Sequence, residues 1–81
     1  MEWILCSERL PNEYLDSYLI TIKMKYPHEM EWEYHVDVAI NSGMIGDTCY
    51  IDNYWNTFND WDEGQEIHVV AWMPLPKPYQ E

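Results

Sequence analysis

Trp32-Glu33-Tyr34-His35-Val36-Asp37-Val38-Ala39-Ile40 is the stretch whose reading decides the fold. Large apolar residues occupy alternate positions, and Glu33, His35 and Asp37 fall between them. A period of two is that of a strand, whose successive side chains point to opposite faces. The stretch is therefore expected to be a half-buried antiparallel strand, with Trp32, Tyr34, Val36, Val38 and Ile40 on the core and Glu33, His35 and Asp37 in water. Upstream, Tyr18-Leu19-Ile20-Thr21-Ile22-Lys23-Met24-Lys25 repeats the pattern. Tyr18, Ile20, Ile22 and Met24 share one face; Thr21, Lys23 and Lys25 share the other.

Outward from this pair, residues 3–6 read as a short first strand, and residues 7–16 as a loop carrying Pro11 and Asn12 as turn residues. Residues 26–29 connect the two alternating strands. Residues 41–47 are turn material, residues 48–52 a short strand, and residues 53–64 a long hairpin connection with room for one helical turn. Residues 67–73 form the last strand, which meets Pro74, Pro76 and Pro78. Proline has no backbone N–H and fixes φ, so the ladder stops there and the chain leaves extended. The exit segment is expected to pack across the sheet and place Leu75 on the core; a polyproline II ligand for an SH3-like groove is the alternative. The fold class is mainly β, with α+β as the alternative: a small antiparallel sheet of four or five strands with at most one short helix, in a single domain over residues 1–81.

An 81-residue chain buries only about 60% of its unfolded surface, so its core is thin. Five Trp, seven Tyr and one Phe compensate, because each buried ring removes a large apolar area from water. Fifteen acids against four Lys and Arg give a net charge of −11. Eight acids and three bases lie in residues 1–40, seven acids and one base beyond, so the excess is no detachable tail. Such a field repels nucleic acid and anionic membrane and attracts basic protein surfaces. The N-terminus has no basic n-region, so a secretory signal is not expected. No apolar run approaches the roughly 18 residues of a spanning helix. Cys6 and Cys49 are expected to be reduced and buried, a disulfide being the alternative.

Chemistry-bearing motifs are sparse. Glu33, His35 and Asp37 at alternate positions offer nitrogen and oxygen ligands on one strand face, but without Cys-x-x-Cys or His-Glu-x-x-His spacing they read as an ordinary solvated face. His28 and His68 are isolated and carry no expected role. Ser7, Ser17 and Ser42 lie in no Gly-x-Ser-x-Gly elbow, and there is no phosphate-cradling glycine loop. A catalytic acid needs a desolvating pocket, for which a chain of this size leaves little room. No enzyme activity, metal or cofactor is expected.

Residues 54–64, Tyr54-Trp55-Asn56-Thr57-Phe58-Asn59-Asp60-Trp61-Asp62-Glu63-Gly64, interleave four aromatics with three acids. Platforms for single-stranded nucleic acid also use aromatics, but with basic residues between them. Rings among carboxylates instead suit a basic protein partner, the rings supplying hot-spot area and the acids steering. Trp55, Asp60, Trp61, Asp62 and Glu63 are the candidate partner-binding residues. The competing reading makes Trp55, Phe58 and Trp61 a cap on the core.

The two ends of the chain carry a resemblance. Trp3-Ile4-Leu5-Cys6-Ser7-Glu8-Arg9-Leu10-Pro11, the alternating strand over residues 18–25, and Ala71-Trp72-Met73-Pro74-Leu75-Pro76-Lys77-Pro78 together resemble a phage and prophage family catalogued as domain of unknown function 551. The middle, residues 27–64, departs from that family's usual Gly- and Trp-containing hairpin. The resemblance implies a small β-rich domain of phage or prophage origin and transfers no catalytic residue. The expected function is a non-catalytic acidic accessory protein in the cytoplasm of a bacterial host. It would bind a host protein with a basic surface and no nucleic acid or membrane directly. The sharpest form is an anti-defence inhibitor occupying a nucleic-acid-binding surface. A small-ligand or nucleotide-sequestering oligomer and a structural phage component are the alternatives.

Overall fold

The computed structural model describes residues 2–11, 16–41, 49–52, 54–57 and 64–80. Their strands are β1 (Ile4–Leu5), β2 (Ser17–Lys25), β3 (Glu33–Asn41), β4 (Cys49–Ile51), β5 (Trp55–Thr57) and β6 (Glu66–Pro74). They form one sheet in the order β1-β6-β2-β3-β5-β4, with every pairing antiparallel. The mainly β architecture is the one the alternating pattern predicts. The extra strand, β5, lies where a long connection was expected. Tyr54 N–H donates to Ile51 O at 3.2 Å, so the chain turns tightly out of β4 instead.

β2 is the central strand, paired along its length with β3 on one side and β6 on the other. Ile20 and Ile22 are fully buried, Tyr18 and Met24 nearly so, and the other positions are intermediate. That is the predicted face. Between β2 and β3 the turn is closed twice: Glu29 N–H donates to Tyr26 O at 2.9 Å, and Glu29 Oε1 accepts from Tyr26 N–H at 2.8 Å.

In β3 the alternation is present but its phase is inverted. Tyr18 pairs with Ala39, Ile20 with Asp37, Ile22 with His35 and Met24 with Glu33. Directly opposed residues share a face, so the core face of β2 continues onto Ala39, Asp37, His35 and Glu33. Ala39 and Asn41 are buried there, where β5 pairs with β3 over Ala39–Asn41. Among the described strands none covers the other half, so Glu33 and His35 stay exposed. Tyr34 and Val36 point to the outer face and are 63% and 62% exposed; Trp32, Val38 and Ile40 are half-buried. The expectation that all five face the core is thus corrected. Register with β2, which β3 does not itself encode, sets its phase.

β6 carries a bulge. Thr21 pairs with Ala71 and Ile22 with Val69, leaving Val70 as the extra residue. A bulge shifts the phase of side chains on either side of it. Val69 and Trp72, three positions apart, therefore both reach the core. Trp72 packs edge-on against Tyr18 at 5.2 Å, and Tyr18 in turn against Trp55 at 6.2 Å. The indole N–H of Trp72 donates to Arg9 O at 2.9 Å, the Tyr54 hydroxyl donates to Pro11 O at 2.9 Å, and the Arg9 guanidinium lies 5.9 Å from the Trp72 ring. The distinctive N-terminal segment is thereby docked onto the distinctive C-terminal strand.

β6 ends at Pro74, the first of the three prolines, as expected. The exit segment does not pack as expected: Leu75 is 41% exposed and the residues to 80 are exposed too. Alternate prolines hold the segment extended, and Leu75 is not part of the core cluster that Trp72 and Trp55 join.

Trp72→Ala should destabilise the domain by about 3–5 kcal/mol, the usual loss for deleting a large buried aromatic. That approaches the whole stability of so small a domain. Urea denaturation checks this, and a midpoint close to that of the parent would place Trp72 outside the core.

Candidate functional site

The sheet is rolled, so that β4 at one edge comes against β6 near the other. Asp52, just after β4, makes that junction. It adopts φ 54°, a left-handed conformation that Asp tolerates better than most residues. One carboxylate oxygen accepts from Val69 N–H at 2.9 Å, and the other lies 2.9 Å from His68 Nδ1. His68 Nε2 lies 3.2 Å from Glu66 Oε1. A ring with an acceptor at each nitrogen is satisfied only when doubly protonated. The hydrogen bond to Asp52 is the main cause holding the His68 pKa above its usual value; partial burial opposes it, and the Glu66 bond and both carboxylate charges add to it.

Beside this cluster lies an open groove of about 510 Å³ whose walls include Leu5, Cys6, Ser7, Lys23, His68 and Val70. A Cys, a His and an Asp in one groove have the composition of a nucleophilic site, but not its chemistry. Burial first, and the Asp52 charge second, push the Cys6 thiol up to about 11, so it stays protonated at neutral pH. Both nitrogens of His68 are engaged by carboxylates, and neither presents a lone pair to a thiol. The cluster acts as a clamp across the rolled sheet. Among the described residues, no group of three or more His, Cys, Asp and Glu side chains could hold a metal ion.

Two surface features flank the groove on the outer face. The first is cationic: the Lys23 and Lys25 ammoniums lie 4.4 and 5.0 Å from the Trp32 ring centroid, and His68 meets the same ring at 6.1 Å. The second is apolar. Tyr34 and Val36 share that face and are exposed at 63% and 62%, opposite Lys23 and Thr21 of β2, while Glu33 points to the other face; Met30, in the preceding turn, is 93% exposed. Large apolar side chains are more often buried, so the exposed pair Tyr34 and Val36 stands out on this face.

Of the sequence candidates, Trp55 is placed in the core at 1% exposure, edge-on to Tyr18 and to Tyr54. It has no surface to offer a partner, and that assignment is corrected. Its pairing opposite Asn41 in β3 and Ile51 in β4 puts it beneath the roll of the sheet. Asp60, Trp61, Asp62 and Glu63 lie outside the described residues, as do residues 42–47 of the expected turn, Thr48 and most of the segment read as a connection. Sequence reading missed His68, which it had called isolated, and Asp52, because 16 residues and a rolled sheet separate them. It missed Tyr34 and Val36 by assigning them inward. A hint was available for the lysines alone, since Lys23 and Lys25 on one strand face already place half of the chain's cations together.

A pH dependence follows from His68. Its pKa is raised from 6.5 on folding, so its stabilisation is fully present below pH 6.5 and is lost as pH rises through the folded value. Urea midpoints of the parent should fall across that window, and those of His68→Gln should fall less. Identical slopes for the two proteins would remove His68 from the clamp.

The model of the family described as "Protein of unknown function (DUF551)" matches residues 2–80, nearly the whole chain. No curated protein and no solved structure matches it.

Proposed function

We propose that this chain, which belongs to the family DUF551, is a non-catalytic binding protein whose partner is a protein with a basic surface. The observation that carries the reading is the outward phase of β3. Tyr34 and Val36 are exposed in mid-strand on the outer face, Met30 is exposed ahead of them, and Glu31 and Glu33 are exposed nearby in the chain, Glu33 on the other face of β3. Exposed rings and aliphatic groups supply contact area that excludes water. The −11 charge of the whole chain supplies long-range attraction to a cationic partner. On β3 the apolar pair supplies the contact area, and the acids that steer belong to the chain as a whole, since Glu33 lies on the opposite face. On sequence grounds Asp60, Trp61, Asp62 and Glu63 stay within the proposal, and Trp55 does not.

In its concrete form the proposal is a phage accessory protein in the cytoplasm of a bacterial host. It occupies a surface that a host protein, for example a defence nuclease, otherwise uses to hold nucleic acid. Carboxylates spread over a compact domain present a partner with the charge that a phosphate backbone would present. The groove at Cys6 supports a non-catalytic role, since its thiol is protonated and its histidine is saturated with acceptors.

The test begins with a partner retrieved on the immobilised chain and continues with purified components. Affinity should fall steeply with salt, because exposed charges are screened beyond about 8–10 Å at physiological ionic strength. Glu31→Gln with Glu33→Gln should mainly slow association, and Tyr34→Ala with Val36→Ala should mainly speed dissociation. Neither pair should move the urea midpoint by much, since surface changes of this kind usually lie within about 0.5 kcal/mol. DNA should compete for the partner without binding the chain. A partner whose binding ignores salt and DNA would overturn the nucleic-acid-site form of the proposal.

A further inference from the structure

The chain has only four Lys and Arg, and two of them are brought to one aromatic ring. Lys23 and Lys25 are two positions apart on β2 and so share its outer face. Each ammonium gains about 0.5–1 kcal/mol from the ring at a partly exposed site, but neither is neutralised by it. No ion pair to either lysine is present among the described residues. Glu66 lies opposite Lys25 on β6 but bonds His68 Nε2 at 3.2 Å. Two cations held side by side repel each other, and an anion between them relieves that repulsion.

Lys23 also lines the 510 Å³ groove, which lies within the size range of small-ligand sites. The walls there are mixed. Leu5, Val69 and Val70 supply apolar surface, and Ser7 supplies a hydroxyl. The Asp52 carboxylate borders the groove but is engaged at both oxygens by Val69 N–H and His68. The geometry points to a binding site for a nucleoside monophosphate, with the phosphate on Lys23 and Lys25 beside Trp32 and the base against the apolar wall of the groove. A long nucleic acid is disfavoured, because its backbone would extend into the field of a −11 protein. A small anion stays within the local positive patch. This site lies on β2 and β6 and does not depend on the basic-partner reading of β3, so either can fail alone.

Backbone and indole NMR signals of the full chain, titrated with adenosine monophosphate, adenosine, inorganic phosphate and a short oligonucleotide, test the site. Trp32→Phe assigns the Trp32 indole signal. Adenosine monophosphate should shift that signal and the amides of Lys23, Lys25 and Val69. Lys23→Gln and Lys25→Gln should each weaken binding at least fivefold. Lys77→Gln, which removes the same charge from the exposed C-terminal segment, should leave affinity unchanged within twofold. Adenosine binding as well as the monophosphate would overturn the anion site, and phosphate binding as well as the monophosphate would overturn the role of the groove. An equal effect of Lys77→Gln, tighter binding of the oligonucleotide, or no shift at Trp32 at millimolar ligand would each overturn the proposal. The lysine variants should melt within several degrees of the parent, as loss of one ring contact allows, and keep its amide spectrum away from the site, so loss of binding with the fold retained counts as support.

Discussion

Tyr18 stands edge-on between Trp72 and Trp55, and most of the structure depends on that contact. It ties β2, β6 and β5 into one core. Edge-to-face pairs add directional preference to the large area that each ring buries. Trp72 extends the arrangement by donating its indole N–H to Arg9 O, and Tyr54 extends it by donating to Pro11 O. A thin domain thus satisfies its buried aromatic donors with carbonyls of an irregular segment, which orders that segment as well. The two ends that resemble the family are, in space, one packing unit.

Electrostatics divide the surface in a way that the net charge conceals. A −11 chain places its carboxylates widely, yet concentrates Lys23, Lys25 and His68 around Trp32. Asp52 links the two regimes. Its left-handed backbone turns the carboxylate toward β6, where one oxygen caps a strand N–H and the other bonds His68 Nδ1 and raises its pKa. The same charge helps keep the Cys6 thiol unreactive. Asp52 and His68 together bridge the end of β4 to β6.

The periodicity of β2, the antiparallel mainly β class and the stop at Pro74 were all legible in the chain, because each follows from local rules. A period of two identifies a strand, and a proline cannot continue a ladder. The phase of β3 was not legible. Its alternation is equally compatible with either face, and the choice fell to the register that pairs Ile20 with Asp37 and Ile22 with His35. The bulge at Val70 was also invisible, since it is a property of two strands together.

The sequence by itself determined the strands other than β5, that the chain is strongly acidic, and that the two ends are distinctive. Only the tertiary structure decided that Tyr34 and Val36 face outward, that Trp55 is core, and that Asp52 and Lys23 share a groove with Cys6 and His68. The physical reason is range. Periodicity and proline act over neighbouring residues, whereas face, burial and charge clustering are set by contacts between strands far apart in the chain. In a sheet rolled until β4 meets β6, those contacts include pairs that no local pattern relates.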